Sequence, residues 1–436
     1  MKRLLLFLVI LSTAVLAPLA LAQDTTSGAA AKAFGAQMMG GLGLTMIDGK
    51  VYYRVQLIPE VAIYKFGIGL DGDILFNQDG IRKEDWNPRS RWVRVIRYLR
   101  WGNKRDRIYA RVGALDASTL GHGLLMYRYA NQAANDADRK LGMEFDLDFG
   151  LLGFESVVSN FGRAEIYGGR GYVRPLRGTG IPIIKNFEIG GSVASDVDPD
   201  QNSGTKDNVT LFGFDLGLPL INTNLLYTGL YYDYGKIDEL GHGNVVGVGT
   251  DIRFPGNMLT LSAKLEQRFL GKRFVAQFFD RFYEVERFQP GLVPIWKTTI
   301  VGADTDANNG TYGELAATLA GKLNVLGSYQ YTYKVPKSGI LHFGATVPKV
   351  IPKVELSAAY DHKGIGEFGD MGKQDEYFLF TVEGGYEIYP HIMMYISYLR
   401  TYERRTQDKD DAGVPLPPYY KPVEKFSPRL AVKFSF

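Results

Sequence analysis

Cysteine is absent from the 436 residues. That excludes disulfide frameworks, Cys-ligated zinc and thiolate nucleophiles. Histidine is scarce: His122, His242, His342, His362 and His391 are the only ones. No two of them stand at ligand spacing, which argues against zinc. After the first 25 positions no apolar run reaches the ~18 residues that a membrane-crossing helix needs. Net charge is small at +3, and two of the cations, Lys2 and Arg3, lie at the very start of the chain. The balance therefore carries no nucleic-acid signal. There is no Gly-x-Ser-x-Gly elbow and no Walker-type phosphate loop, so nothing here points to an enzyme.

Glycine and aromatics are abundant instead, at 51 residues and 13%. The N-terminus reads as an export address. Met1-Lys2-Arg3 is a short positive stretch, Leu4 to Leu16 is apolar, Pro18 breaks it, and Ala20-Leu21-Ala22 has the small-x-small form that precedes cleavage. Residues 1–22 are expected to be removed before Gln23. Residues 23–49 then form a Gly/Ala-rich segment that could lie inside a lumen. Residues 50–436 carry the alternation of a β-barrel.

That alternation has period two, which places successive side chains on opposite faces of a sheet. Leu259, Leu261, Ala263 and Leu265 oppose Thr260, Ser262, Lys264 and Glu266. Val246, Val248, Thr250 and Ile252 oppose Gly247, Gly249, Asp251 and Arg253. Met143, Phe145 and Leu147 oppose Glu144, Asp146 and Asp148. Full charges inside strands suit a wet lumen. Aromatic clusters recur, as at Tyr231 to Tyr234, Tyr386 to Tyr389 and Tyr395 to Tyr402; Tyr and Trp favour the two bilayer interfaces.

The chain ends on Arg429 to Phe436, with Leu430, Val432, Phe434 and Phe436 on one face. This ending resembles the terminal strand of bacterial outer-membrane β-barrels. The resemblance implies an outer-membrane location, an all-β fold made of one antiparallel barrel, and assembly by machinery that reads those four residues. Lipid and lipopolysaccharide are the expected surroundings, and a homo-oligomer is compatible with the pattern. The expected strand number is about 18, within roughly 14 to 22, and even. Short turns are expected at 150–153, 219–222, 255–257, 322–324, 348–352 and 389–391. Longer loops are expected at 129–139, 196–208, 235–243, 303–310, 363–376 and 403–427, with a weak strand near 296–301.

The function that fits is passive diffusion of small polar solutes through a porin-like channel. The alternative is a non-conducting barrel that serves as scaffold, adhesin or partner in a complex. Residues 82–111 hold eleven Lys/Arg against three acids. This run reads equally well as helix or strand, facing either water or the lumen. Arg91, Arg94, Arg97 and Arg100 are the candidates for a lumenal constriction that favours anions. Lys264, Glu266 and Arg268 are the candidates for the opposite wall.

Two loops space oxygen ligands at alternate positions: Asp196, Asp198, Asp200 and Asn202, then Asp304, Asp306 and Asn308. Calcium takes six to eight oxygens, so the first loop is a candidate calcium site. Both depart from the EF-hand pattern, lacking glycine at the sixth position and glutamate at the twelfth. No other cofactor is expected. Asp361-His362 is the only adjacent acid–histidine pair.

Overall fold

The structure, a computed structural model, describes residues 34–86, 94–132, 140–163, 165–199, 208–287, 307–320, 322–348, 351–372, 378–405 and 419–435. One antiparallel sheet runs from β1 (Phe34–Ile47) to β22 (Tyr419–Ser435). It closes on itself, because β1 pairs with β2 (Lys50–Ile63) on one side and with β22 on the other. β3 (Phe66–Leu70) and β4 (Gly72–Asn77) both pair with β2 and form one course broken at Asp71. β5 (Gly80–Ile81) is a stub on β4. The ring then continues from β3 to β6 (Ile96–Trp101). With β4 and β5 left out, 20 strands make the closed wall.

The ring is two strands larger than the expected 18. The extra wall comes from short strands in the basic stretch, including β6 and β7 (Ile108–Gly113), where alternation is brief and crowded with charge. The Gly/Ala-rich segment also departs from expectation. Its residues 34–47 are β1 and seal the ring by pairing with the last strand, so the wall begins before residue 50. The weak strand expected near 296–301 lies outside the described residues, and the up-down order closes without it.

Both described termini lie at one end of the barrel, here called the terminus end. Connections there are mostly short, such as 149–151, 223–225, 320–322 and 390–391. The strands that meet at the opposite, loop end are separated by longer stretches of sequence, 114–141, 271–307, 366–377 and 406–418. Residues 235–243 are not a long loop. β13 (Leu226–Ile237) and β14 (Gly241–Arg253) pair up to Ile237↔Gly241 and leave a three-residue turn. Residues 219–222 are not a turn either: β12 (Val209–Asn222) runs through Pro219 with a register shift there, which is where a strand tolerates proline.

The outer face is apolar. Leu265 on β15 (Leu259–Leu270) and Leu315 on β16 (Asn308–Leu319) are 60% and 68% exposed. Exposed aromatics mark both rims. Phe66, Trp101, Phe149 and Tyr389 sit at the terminus end; Tyr53, Phe76 and Phe269 sit toward the loop end. A ring in which every strand has two neighbours leaves no open edge, so an apolar surround meets only side chains and satisfied backbone.

Candidate functional site in the barrel lumen

Two loop-end segments turn inward rather than outward. In residues 114–132 the backbones of Ser118 and Tyr129 exchange hydrogen bonds of 2.8 and 2.9 Å, forming a narrow hairpin. Gly121 and Gly123, at φ +56° and +98°, make its bend, conformations that glycine adopts without strain. Residues 271–287 dock on that hairpin. Gln277 N–H donates to the Leu124 carbonyl at 2.7 Å, Phe279 N–H to Leu125 at 3.1 Å, and Tyr127 N–H to the Phe279 carbonyl at 3.0 Å.

The joined loops bury a core inside the barrel. Leu124, Leu125, Met126, Phe274, Phe279 and Tyr283 pack on wall residues Val157, Ile166, Ala194, Leu211, Ile237 and Val245. Each large side chain removed from water contributes about 1.5–3 kcal/mol. The wall makes room with glycines. A Cβ at Gly243 would stand 2.5 Å from the Phe274 ring, and one at Gly235 would stand 2.9 Å from it. Those glycines sit within strands because a ring needs their space.

Residues 271–287 reach the far wall as well. Phe282 and Val285 pack on Leu379 and Tyr402, which belong to β20 (Phe378–Tyr389) and β21 (Ile392–Arg405). Arg281 Nε lies 3.1 Å from Asp361, and Glu286 pairs with Lys363; both partners are on β19 (Val354–Ile365). The segment is therefore a crossbar, anchored to walls on two sides of the lumen, with its short helix α1 (Tyr283–Glu286) between the anchors.

A buried ionic cluster holds the near anchor. Arg287 is fully buried. Its Nη1 lies 2.8 Å from Glu165 and 3.5 Å from Glu284, and its Nη2 lies 3.2 Å from Asp196. Lys140 Nζ lies 2.6 Å from Glu284 and 3.5 Å from Glu165. Tyr129 donates to Glu284 at 2.5 Å, and Tyr283 donates to Asp196 at 2.7 Å. Burial pushes both tyrosines well above their ordinary value, so both remain donors. Burial alone would raise Glu284, but Lys140 and Arg287 outweigh it and hold that carboxyl below its ordinary 4.5. A carboxyl lowered in this way contributes stability that is complete above about pH 4.5 and is lost as pH falls through the lower folded value. Crossbar docking is thus expected to be insensitive to pH from neutrality to about 4.5 in its Glu284 contribution and to weaken in stronger acid. Protease protection of residues 271–287, followed as pH falls below about 4.5, checks the acid loss.

The expected site residues fall in two groups. Lys264, Glu266 and Arg268 face inward on β15, where they support the inward hairpin. Lys264 Nζ lies 2.8 Å from Glu266 and donates to the His122 carbonyl at 2.6 Å. Arg268 Nη2 lies 2.6 Å from Glu266. Beyond them Tyr127 donates to Glu314 at 2.7 Å, and Arg128 lies 3.3 Å from the same carboxylate.

β6 stands nine strands away in the ring of 20. Its register shifts so that Gly69 pairs with Tyr98 and Leu70 with Ile96. Arg97 is left as a bulge. Arg97 and Tyr98 therefore both reach inward to Glu60, where strict alternation would have separated them. Arg100 donates to two neutral acceptors, the Gly102 carbonyl and Asn103. Arg94 is buried, donates to the Asp73 carbonyl at 2.8 Å, and lies 4.4 Å from the Trp86 ring centre. Arg91 lies outside the described residues.

Of the candidate calcium ligands, Asp196 is taken up by Arg287 and Tyr283, and Asp198 by Arg163. Asp200 and Asn202 lie outside the described residues. At the C-terminus Leu430 and Val432 are exposed on the outer face. Phe434 stacks on His391 at 5.2 Å, and Phe436 lies outside the described residues. Asp361 faces the lumen, 2.5 Å from His342, whereas its sequence neighbour His362 packs with Tyr360 and Phe378; the adjacent pair does not act together. The alternation gave no sign of the crossbar. Its one signal was the run of aromatics from Phe274 to Tyr283 between two strands.

No protein-family model matches the chain, and no curated protein does. Solved structures do resemble it. The outer membrane protein OpdK from Pseudomonas aeruginosa is 10% identical over 92% of this chain and 99% of its own, with a TM-score of 0.34. The ferric enterobactin receptor PfeA is 8% identical over 92% and 81%, with a TM-score of 0.36. CdiB from Acinetobacter baumannii is 8% identical over 91% and 60%, with a TM-score of 0.29. Likenesses at this level carry no argument about activity. The geometry of the chain itself shows what it is: a single closed antiparallel β-barrel of 20 strands, apolar outside and charged within.

Proposed function

We propose that the protein is an outer-membrane channel for passive diffusion of small polar solutes, narrowed from within by the crossbar. One observation carries the reading: a closed ring whose outer face is a continuous apolar band and whose inner face carries ionised side chains. Such a wall suits a lipid surround and a wet interior. In this reading the terminus end faces the periplasm, and Leu430, Val432, Phe434 and Phe436 serve assembly. Purified protein added to a planar bilayer is expected to give steady, small conductance steps.

Selectivity follows from the two walls. Around the crossbar Arg281, Arg287, Lys264 and Arg268 are each paired with an acid. Arg100 has neutral partners and Arg97 holds Glu60 only loosely, at 4.0 Å. A mild anion preference is therefore expected at the terminus-end mouth. Arg97→Gln with Arg100→Gln should move the reversal potential under a salt gradient toward cation preference. An unmoved potential would take these arginines out of the permeation path.

A second reading is favoured by the fully buried Tyr129, Phe279, Tyr283 and Arg287 inside the lumen. A barrel filled this well could be a closed scaffold. Absence of current in the bilayer, with a stable partner retained on purification, would decide for it.

A further inference from the structure

The longest described connection at the terminus end is residues 174–187, between β10 (Ile166–Val173) and β11 (Glu188–Asp196). Its composition is unlike that of a solvated turn. It holds Arg174, Arg177 and Lys185, no acid, and four isoleucine or leucine residues. Ile181 and Ile183 are 51% and 46% exposed. Isolated exposed aliphatics are ordinary. Here they flank Pro182 on a segment that is basic throughout.

The placement adds the second observation. β12 pairs with β11 only as far as Gly217, and its remaining residues project beyond that strand. The short helical turn Ile184–Asn186 packs beside β12. Phe187 joins Leu216, Leu218, Leu230 and Tyr232 around an outward-facing apolar cleft of about 200 Å³. The segment thus lies at the lower border of the apolar band, with greasy side chains beside it. Arg174 is committed to Asp148 and Glu188. Arg177 is exposed and donates one bond, to the Gly150 carbonyl at 2.8 Å. The Lys185 backbone N–H donates to the Ile181 carbonyl at 3.0 Å, and its ammonium has no hydrogen bond or ion pair among the described residues.

We propose that residues 174–187 dock anionic phospholipid of the leaflet at the terminus end. The cleft takes an acyl chain, and Arg177 and Lys185 take the headgroup phosphate. Basic residues beside an apolar face are the recognition pattern for an anionic lipid surface, and the two nearby acids, Asp148 and Glu188, are engaged by Arg174. This rests on the membrane-channel reading.

The test uses the full barrel in vesicles of phosphatidylcholine, with and without phosphatidylglycerol. Spin-labelled analogues of both lipids report which one the protein holds. The parent barrel should hold phosphatidylglycerol in preference to phosphatidylcholine. Each cation removed should lower that preference by about fivefold. Lys185→Gln alone and Arg177→Gln with Lys185→Gln form the series. The single variant touches no described contact, so a folding defect cannot imitate the loss. Equal retention of both lipids by the parent, or a preference unchanged in both variants, overturns the proposal while leaving an inserted, conducting barrel intact. Failure to insert into either vesicle overturns this proposal together with the channel reading.

Discussion

Arg287→Met is expected to free the crossbar. Among the described residues the guanidinium is the single cation that touches Glu165, Asp196 and Glu284 together, from a fully buried position. Methionine fills much of the volume but leaves the acids facing one another, with Lys140 still close to Glu165 and Glu284 and Arg163 close to Glu165. Breaking a buried ion cluster by removing one partner destabilises by about 3–5 kcal/mol. The strand ladder is not involved, so the barrel should stay folded and the loss should fall on loop docking. Two readouts should move together. Single-channel conductance should rise severalfold as the lumen widens, and trypsin should gain access at Arg273 and Arg281, which are part-buried. Unchanged current with unchanged protection would show that the apolar packing of Phe274, Phe279 and Tyr283 holds the crossbar unaided. A barrel that is silent both before and after the change would favour the scaffold.

The second large effect tests the outer face. Leu265 lies midway along β15, faces outward, and is flanked by Val248 and Gly313 on the neighbouring strands. In a lipid surround Leu265→Arg places a charge near the bilayer midplane, destabilising by about 2–4 kcal/mol. The folded fraction on refolding into vesicles, read by its resistance to detergent unfolding at room temperature, should drop sharply. Ser357→Arg is the matching inward change: Ser357 faces the lumen opposite Glu383. It should fold almost as well as the parent, because a lumenal charge stays hydrated and has an acid beside it. If both arginines are tolerated alike, the apolar band does not meet lipid and the membrane reading falls.

The contrast between those two positions was visible in the amino-acid order, and so was much of the wall. Arg429 and Ala431 point in while Leu430 and Val432 point out, as period two requires. The misreadings have physical causes. Glycines at Gly235, Gly241 and Gly243 are ordinary turn signals, so residues 235–243 looked like a loop. They are strand residues whose missing Cβ leaves space for Phe274 and the chain beside it. Pro219 looked like a turn but sits at a register shift in β12. The bulge at Arg97 puts neighbouring residues on one face, which no strict alternation anticipates. The strand number came out low because β3, β6 and β7 are short, and β6 and β7 lie in the most charged stretch of the chain.

Composition and alternation by themselves decided that the chain is all-β, that one face of each strand is greasy and its neighbour wet, and which rim carries the longer connections. These are local properties, set by covalent geometry and by the hydrophobicity of the next residue but one. What fills the lumen was decided only by tertiary structure. Arg287 meets Glu165 and Asp196 across 122 and 91 residues of chain, and Leu124 meets Gln277 from a different connection inside the closed ring. No period in the sequence relates such partners. They are brought together by the curvature of a 20-strand wall and by the requirement that buried charges and backbone groups find partners inside it.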